Sequence, residues 1–139
     1  MIGFNHLGRL GRFGNQMFQY AALRGIAANN LTNFCLPIYQ DAMNDGLGNM
    51  NKTELFDCFK MESVSELNIQ AIDYGRPFVT EESFNFNSTI FNNCPDWITL
   101  YGFFQTEKYF KNVEKIIRKD FEFQDEIQQP CNEMMQGIL

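Results

Sequence analysis

The 139-residue chain has one histidine, one tryptophan, no Cys-x-x-Cys, no Asp-x-Asp and no acidic residue before Asp41. Each absence removes a class of chemistry. The four cysteines, Cys35, Cys58, Cys94 and Cys131, are dispersed and lie near no histidine, so they indicate neither a zinc site nor a redox pair and read as reduced core thiols. Without Asp-x-Asp there is no local carboxylate pair to hold a divalent cation against a diphosphate, and the acidic pair Glu81-Glu82 reads as exposed. No run of eighteen apolar residues occurs, and no charged segment with an apolar stretch precedes the first strand. A membrane span and a secretion signal are therefore not expected, and the expected compartment is the cytosol. The Asn-x-Ser/Thr triplets at Asn30, Asn51 and Asn87 then read as chance in an Asn-rich chain. Neither the dinucleotide pattern G-x-G-x-x-G nor a P-loop is present.

What is present favours a folded core. Hydrophobic residues make up 45% of the chain, and fifteen are Phe, a load that argues against disorder. A net charge of -6 and a pI near 4.7 oppose nucleic-acid binding, which rests on Lys and Arg neutralising phosphates. The charge is uneven, however. Arg9, Arg12 and Arg24 fall in the acid-free first forty residues, a basic island that suits an anionic ligand.

The island contains the densest motif of the chain, Gly8-Arg9-Leu10-Gly11-Arg12-Phe13-Gly14-Asn15-Gln16. Residues 1–4 before it can form a buried strand. After it Met17, Phe18, Ala21, Ala22, Gly25 and Ile26 recur at helical spacing. A glycine-rich turn that leads into a helix N-terminus offers free N–H groups and partial positive charge, a natural seat for phosphate. Arg12, Gln16 and Gln19 add donors. The alternative is a structural turn, capped by Asn15, ahead of an ordinary core helix.

Gly11-Arg12-Phe13-Gly14-Asn15-Gln16-Met17-Phe18-Gln19-Tyr20-Ala21 resembles the opening motif of the alpha-1,2-fucosyltransferase family, and its first six residues are similar to the first motif of protein O-fucosyltransferases. Residues 100–110 with 117–121 resemble the alpha-1,2 family's second block, in the expected order. The resemblance implies that Gly11, Arg12, Phe13, Gly14, Asn15 and Gln16 bind the diphosphate of GDP-fucose. It also implies inverting transfer of fucose to a galactoside-type hydroxyl, in alpha-1,2 linkage and with no metal or other cofactor. Members run to about twice this length, a two-domain scale. They carry a later histidine-x-arginine-arginine-x-aspartate motif that this chain lacks. The expectation is therefore the N-terminal, Rossmann-like α/β half of a GT-B-like glycosyltransferase over residues 1–123. Residues 124–139 then begin the connection to a missing C-terminal half, and the partners are GDP-fucose, a glycan acceptor and that half. Eukaryotic relatives are Golgi membrane proteins, which leaves room for peripheral membrane association.

Elsewhere the sequence reads as scaffold. Residues 33–38 suggest a second parallel strand and residues 97–104, rich in aromatic and β-branched side chains, a central one. Between them the sequence predicts a surface loop at 39–53, helical spacing at 63–71, a turn at 73–77 and a half-buried strand at 84–87. The loop is either a plain connection or an acceptor-side wall of the cleft. Thr106 caps a helix on which Phe110, Val113, Ile117 and Phe121 share a face, with surface pairs Glu107/Lys111 and Glu114/Arg118. No catalytic residue is assigned. His6 reads as structural rather than as a base, and Tyr20 and Tyr101 as packing. Two other classes remain. One is a non-catalytic nucleotide- or sugar-binding α/β module. The other is a Rossmann oxidoreductase, which the glycine spacing and the lack of a ribose-binding acid other than Asp41 disfavour.

Overall fold

The computed structural model describes residues 1–138. Its centre is a four-stranded sheet of β1 (Ile2–Gly3), β2 (Phe34–Cys35), β5 (Phe78–Thr80) and β6 (Ile98–Tyr101), in the order β2-β1-β6-β5. Every neighbouring pair is parallel. The protein is thus an α/β fold with a parallel sheet flanked by helices in a Rossmann-like arrangement. β1 and β6 are central because their apolar residues, Ile2, Ile98 and Leu100, have both faces of the sheet to fill and are buried. The chain leaves β1 towards β2 on one side and reaches β6 on the other, so a topological switch point lies between β1 and β6. Open α/β sheets bind ligands at the carboxyl end of such a point.

Helix α1 (Phe13–Asn29) follows β1 and is buried over most of its circumference, at Tyr20, Ala21, Ala22, Leu23, Gly25, Ile26 and Ala27. One side covers β1 and β2, and another meets α3 (Ser88–Asn92) and the 3-10 turns Glu107–Tyr109 and Lys111–Val113. Full burial of a side chain such as Leu23 or Ile26 contributes about 1.5–3 kcal/mol. Gly25 is what permits the second contact, since a Cβ there would stand 1.8 Å from the carbonyl oxygen of Tyr109. The stripe expected from spacing is only partly right. Phe18 is 38% exposed, whereas Gln16 and Gln19 are fully buried.

Other expectations are corrected. The loop at 39–53 contains an antiparallel hairpin of β3 (Met43–Asn44) and β4 (Met50–Asn51). Residues 63–71 form no helix beyond one 3-10 turn at Glu66–Asn68, because Ile69 leaves it to pair with Leu36 at the sheet edge. Residues 84–87 are not a strand. Asn87 instead caps α3, its side chain accepting from Thr89 and Ile90 N–H, and the edge strand is Phe78–Thr80. Thr106 does cap a helical start, accepting from Lys108 N–H, but the helix is two 3-10 turns followed by α4 (Glu114–Asp120). Val113 and Ile117 are buried on the expected face. Glu114 and Arg118 pair at 2.9 Å; Glu107 and Lys111 form no ion pair. A short α2 (Leu55–Cys58) packs on α1. Helix α5 (Asp125–Ile138) has no buried residue, and Leu139, the last residue of the 124–139 segment, lies outside the described residues. Cys35 and Cys94 are buried as expected, but Cys131 is exposed on α5 and is no core thiol.

Candidate functional site

The glycine-rich segment makes a tight turn beyond the carboxyl end of β1. The carbonyl of His6 accepts from Arg9 and Leu10 N–H, both at 2.8 Å. Gly8 and Gly11 have φ of +97° and +106°, and a Cβ on Gly8 would lie 2.4 Å from Thr53 Oγ1. Both positions need glycine. Gly14 does not: its φ is ordinary and its Cβ position is open.

The helix begins at Phe13 with Arg12 as an extended N-cap that makes no side-chain capping bond, and its first turn carries no acidic residue. Asn15 is therefore within the first turn and is not the cap, which corrects the structural alternative. The first intrahelical bond runs from Gln16 N–H to Arg12 carbonyl, so the N–H groups of Phe13, Gly14 and Asn15 begin the helix without an acceptor.

Beside this turn is a cleft of about 850 Å³, within the size range of nucleotide and cofactor sites. Asn5, His6, Arg9, Gly11, Arg12 and Asn15 form one wall, the hairpin residues Met43, Asn44, Asp45, Leu47, Asn49 and Asn51 another, and Tyr39, Tyr74, Tyr101 and Phe103 complete it. The 39–53 segment is thus part of the site. Its floor is rigid: the Asn5 side chain bonds both backbone groups of Ile72 at 2.8 Å, and Asn5 N–H donates to Thr99 Oγ1, tying β1 to β6. His6 stands edge-on to Tyr101, centroids 5.2 Å apart, with its Nδ1 buried and without a partner.

The six donor-motif residues divide in space. Gly11, Arg12 and Asn15 line the cleft; Phe13, Gly14 and Gln16 do not. Phe13 stacks on Phe59 at 5.3 Å. Gln16 Nε2 donates to the carbonyls of Lys52 (2.7 Å) and Gly11 (3.3 Å), and its Oε1 accepts from Glu54 N–H. Gln19 Nε2 donates to the carbonyls of Leu10 and Gly102. The two glutamines, read from sequence as extra phosphate donors, hold the turn in place.

The basic island also divides. Arg9 and Arg12 face the cleft and have no carboxylate within ion-pair distance among the described residues, while the sole acid in the lining, Asp45, caps its own hairpin by accepting from Leu47 and Asn49 N–H. Those bonds hold the Asp45 carboxyl below its ordinary range. The cleft is therefore locally cationic in a chain of net charge -6. Arg24 belongs elsewhere, against Asp120 at 3.2 Å, Tyr20 and Ser63.

Sequence reasoning missed Asp120, which is 1% exposed and accepts from Tyr20, Ser63 and Arg24. Desolvation by burial, with the bond to Asp120, pushes the Tyr20 hydroxyl pKa up against the opposing pull of Arg24. Of the acidic pair, Glu82 is exposed but Glu81 is not. It is half-buried and receives Phe103 and Phe104 N–H at 3.1 and 3.0 Å, fixing the turn after β6 where Phe104 has φ of +51°. Among the described residues no three His, Cys, Asp or Glu are grouped so as to hold a metal ion, and no helix is long and apolar enough to cross a membrane.

The class defined by this architecture is a parallel α/β protein with a cationic cleft at its switch point. Beyond that class, the chain matches no protein-family model, no curated protein and no solved structure.

Proposed function

We propose that the cleft binds the diphosphate of GDP-fucose. In this reading the protein is the donor-binding, Rossmann-like part of a GT-B-like alpha-1,2-fucosyltransferase, which moves fucose with inversion onto a galactoside-type hydroxyl. The observation that carries the reading is a meeting of the two sequence blocks on which the family resemblance rests. Gln19 of the first bonds the Gly102 carbonyl of the second at 3.1 Å, and Gln105 of the second donates to Asn15 Oδ1 at 2.7 Å. They meet beside the unpaired Arg12, at the end of the sheet where such folds take ligands.

The geometry supports a role for each residue. Arg12 offers a planar fork to phosphate oxygens, and the N–H groups opening α1 add partial positive charge. Both would gain strength as charge develops on the leaving diphosphate, the part a bound cation plays in other transferases. Gln16 and Phe13 act from behind, the first by holding the Gly11 carbonyl and residues 52–54, the second by packing the helix start. A cytosolic site of action, with room for peripheral attachment to a membrane, belongs to the same reading.

Calorimetric titration with GDP and GDP-fucose tests it. Arg12→Ala should weaken binding about 10- to 100-fold, the loss of a charge-assisted contact, while the exposed Arg118→Ala changes nothing. Equal affinity of wild type and Arg12→Ala would remove the phosphate role.

A second reading, nucleotide or sugar binding without turnover, is favoured by one observation. The lining holds one histidine, His6, and one carboxylate, Asp45, and Asp45 is committed to its hairpin. Release of GDP from GDP-fucose in the presence of galactosides separates the two readings.

A further inference from the structure

Arg9 lies outside the block that resembles the family's opening motif, yet it is the more rigidly held of the two cleft arginines. Its Nη1 donates to the carbonyls of Asp41 (2.9 Å) and Asn51 (2.5 Å), one on each side of the β3–β4 hairpin, and its guanidinium lies 4.3 Å from the centre of the Tyr39 ring. A guanidinium has five N–H groups. Those on Nε and Nη2 have no partner among the described residues, and no carboxylate neutralises the charge. This is a cation fixed by carbonyls and a ring, with half its fork unused, in the wall of the cleft.

The hairpin depends on the same side chain. Residues 41–50 are exposed, and each strand is only two residues long. The root is otherwise held by the Tyr39–Thr53 pair, through Tyr39 N–H to Thr53 Oγ1 and Thr53 N–H to the Tyr39 carbonyl, and by Gln16, which bonds the Lys52 carbonyl and Glu54 N–H. Asn51, 3% exposed, has its Oδ1 buried without a partner and only a long contact, 3.5 Å, from Nδ2 to the Arg9 carbonyl. An unsatisfied buried acceptor weakens the seat of β4, and the two bonds from Arg9 tie the hairpin to the cleft wall at Asp41 and Asn51.

We propose that Arg9 is a second anion-binding residue of the cleft, and that through it the charge of a bound ligand is coupled to the seating of the β3–β4 hairpin. The inference takes its ligand class, a nucleoside diphosphate, from the reading above. Arg12 is exposed and unbonded and must be ordered by the ligand; Arg9 meets the ligand already ordered, so less freedom is lost on binding. A phosphate oxygen on Nε or Nη2 leaves Nη1 on its carbonyls, and a hydrogen-bonded chain from ligand to Arg9 to hairpin strengthens as a unit. Linkage requires the reciprocal: a ligand that binds better when the hairpin is seated must stabilise the seated hairpin.

The test combines calorimetry with pyrophosphate, GDP and guanosine on the wild type, Arg9→Met and Arg9→Lys, and hydrogen exchange of the hairpin amides with and without pyrophosphate. Arg9→Met should weaken pyrophosphate and GDP about 10- to 100-fold and leave guanosine unchanged. Arg9→Lys should recover part of the anion affinity, but not the hairpin protection that pyrophosphate gives the wild type. Equal pyrophosphate affinity of wild type and folded Arg9→Met overturns the proposal. So does an unchanged exchange rate in the wild-type hairpin, a measurement that stands even if the variants do not fold. GDP binding that needs Arg12 but not Arg9 leaves the donor reading intact and removes this one. Arg9-dependent pyrophosphate binding with no added affinity for GDP does the reverse, and a wild type that binds neither anion ends both.

Discussion

Arg12 is the N-cap of α1 and Arg24 lies within it, about 18 Å further along its axis, and their surroundings are opposite. Arg24 reaches from α1 to the last residue of α4, its charge met by the buried Asp120 and its guanidinium 4.2 Å from the centre of the Phe34 ring. Arg12 faces the cleft, exposed, with no carboxylate and no hydrogen bond. One cation completes a packed network, and the other stands uncompensated in an acidic chain. The role of an arginine is set by which acids the fold brings to it, and sequence proximity, which groups Arg9, Arg12 and Arg24 together, does not report that.

The contrast breaks most visibly at Asp120. Asp120→Ala leaves Arg24 uncompensated and removes the acceptor for Tyr20 and Ser63, so urea unfolding should show a loss of about 3–5 kcal/mol. GDP affinity of the folded protein should stay as it was. A loss below about 1 kcal/mol, the scale of an exposed pair, would make the Arg24–Asp120 pair no different from one on the surface.

Gly25→Ala probes a different contact of α1, with the Glu107–Tyr109 turn, without touching charge. The new methyl would meet the Tyr109 backbone, and the expected cost is about 1–3 kcal/mol, read from the same unfolding curves. An unchanged midpoint would mean that α1 and the Glu107–Tyr109 turn can separate freely.

A further effect is on alkaline stability. Burial pushes the Cys35 and Cys94 thiols from an ordinary 9.0 up to about 11. Between these values the unfolded chain has lost protons that the folded one keeps, so stability is whole below pH 9 and falls as pH rises towards 11. Urea midpoints at pH 8 and 10.5 should differ in that direction, and Cys35→Ala with Cys94→Ala should flatten the slope. A slope that the double variant leaves unchanged would assign the effect to other groups.

Much of the fold was legible where one strong pattern acted alone. The apolar run 97–104, which holds Ile98–Tyr101, and the glycine turn before α1 announced the two central elements of the switch point. Legibility failed where tertiary contacts overrode local pattern. Residues 84–87 alternate like a strand, but Asn87 is drawn into capping α3 and its N–H into a bond with the Tyr109 hydroxyl. The edge strand Phe78–Thr80 is half exposed and too short to leave a period. At the cleft, the sequence motif points to the lining residues Gly11, Arg12 and Asn15. It could not tell that Gln16 and Gln19 turn inward to backbone carbonyls, because an amide reads alike whether it waits for a ligand or holds a loop. Asp120 was hidden in a charged surface stretch, and only the position of Arg24 on the facing helix reveals its function.

The central claim is that the cleft end of α1 receives an anion and the Arg24 end does not. Amide chemical shifts recorded while GDP is titrated into isotopically labelled protein test this most directly. Saturable shifts should appear at Arg12, Phe13, Gly14 and Asn15, with Arg24, Ser63 and the amides of α4 unmoved. Shifts absent from the helix start, or concentrated around Arg24 and Asp120, would contradict it.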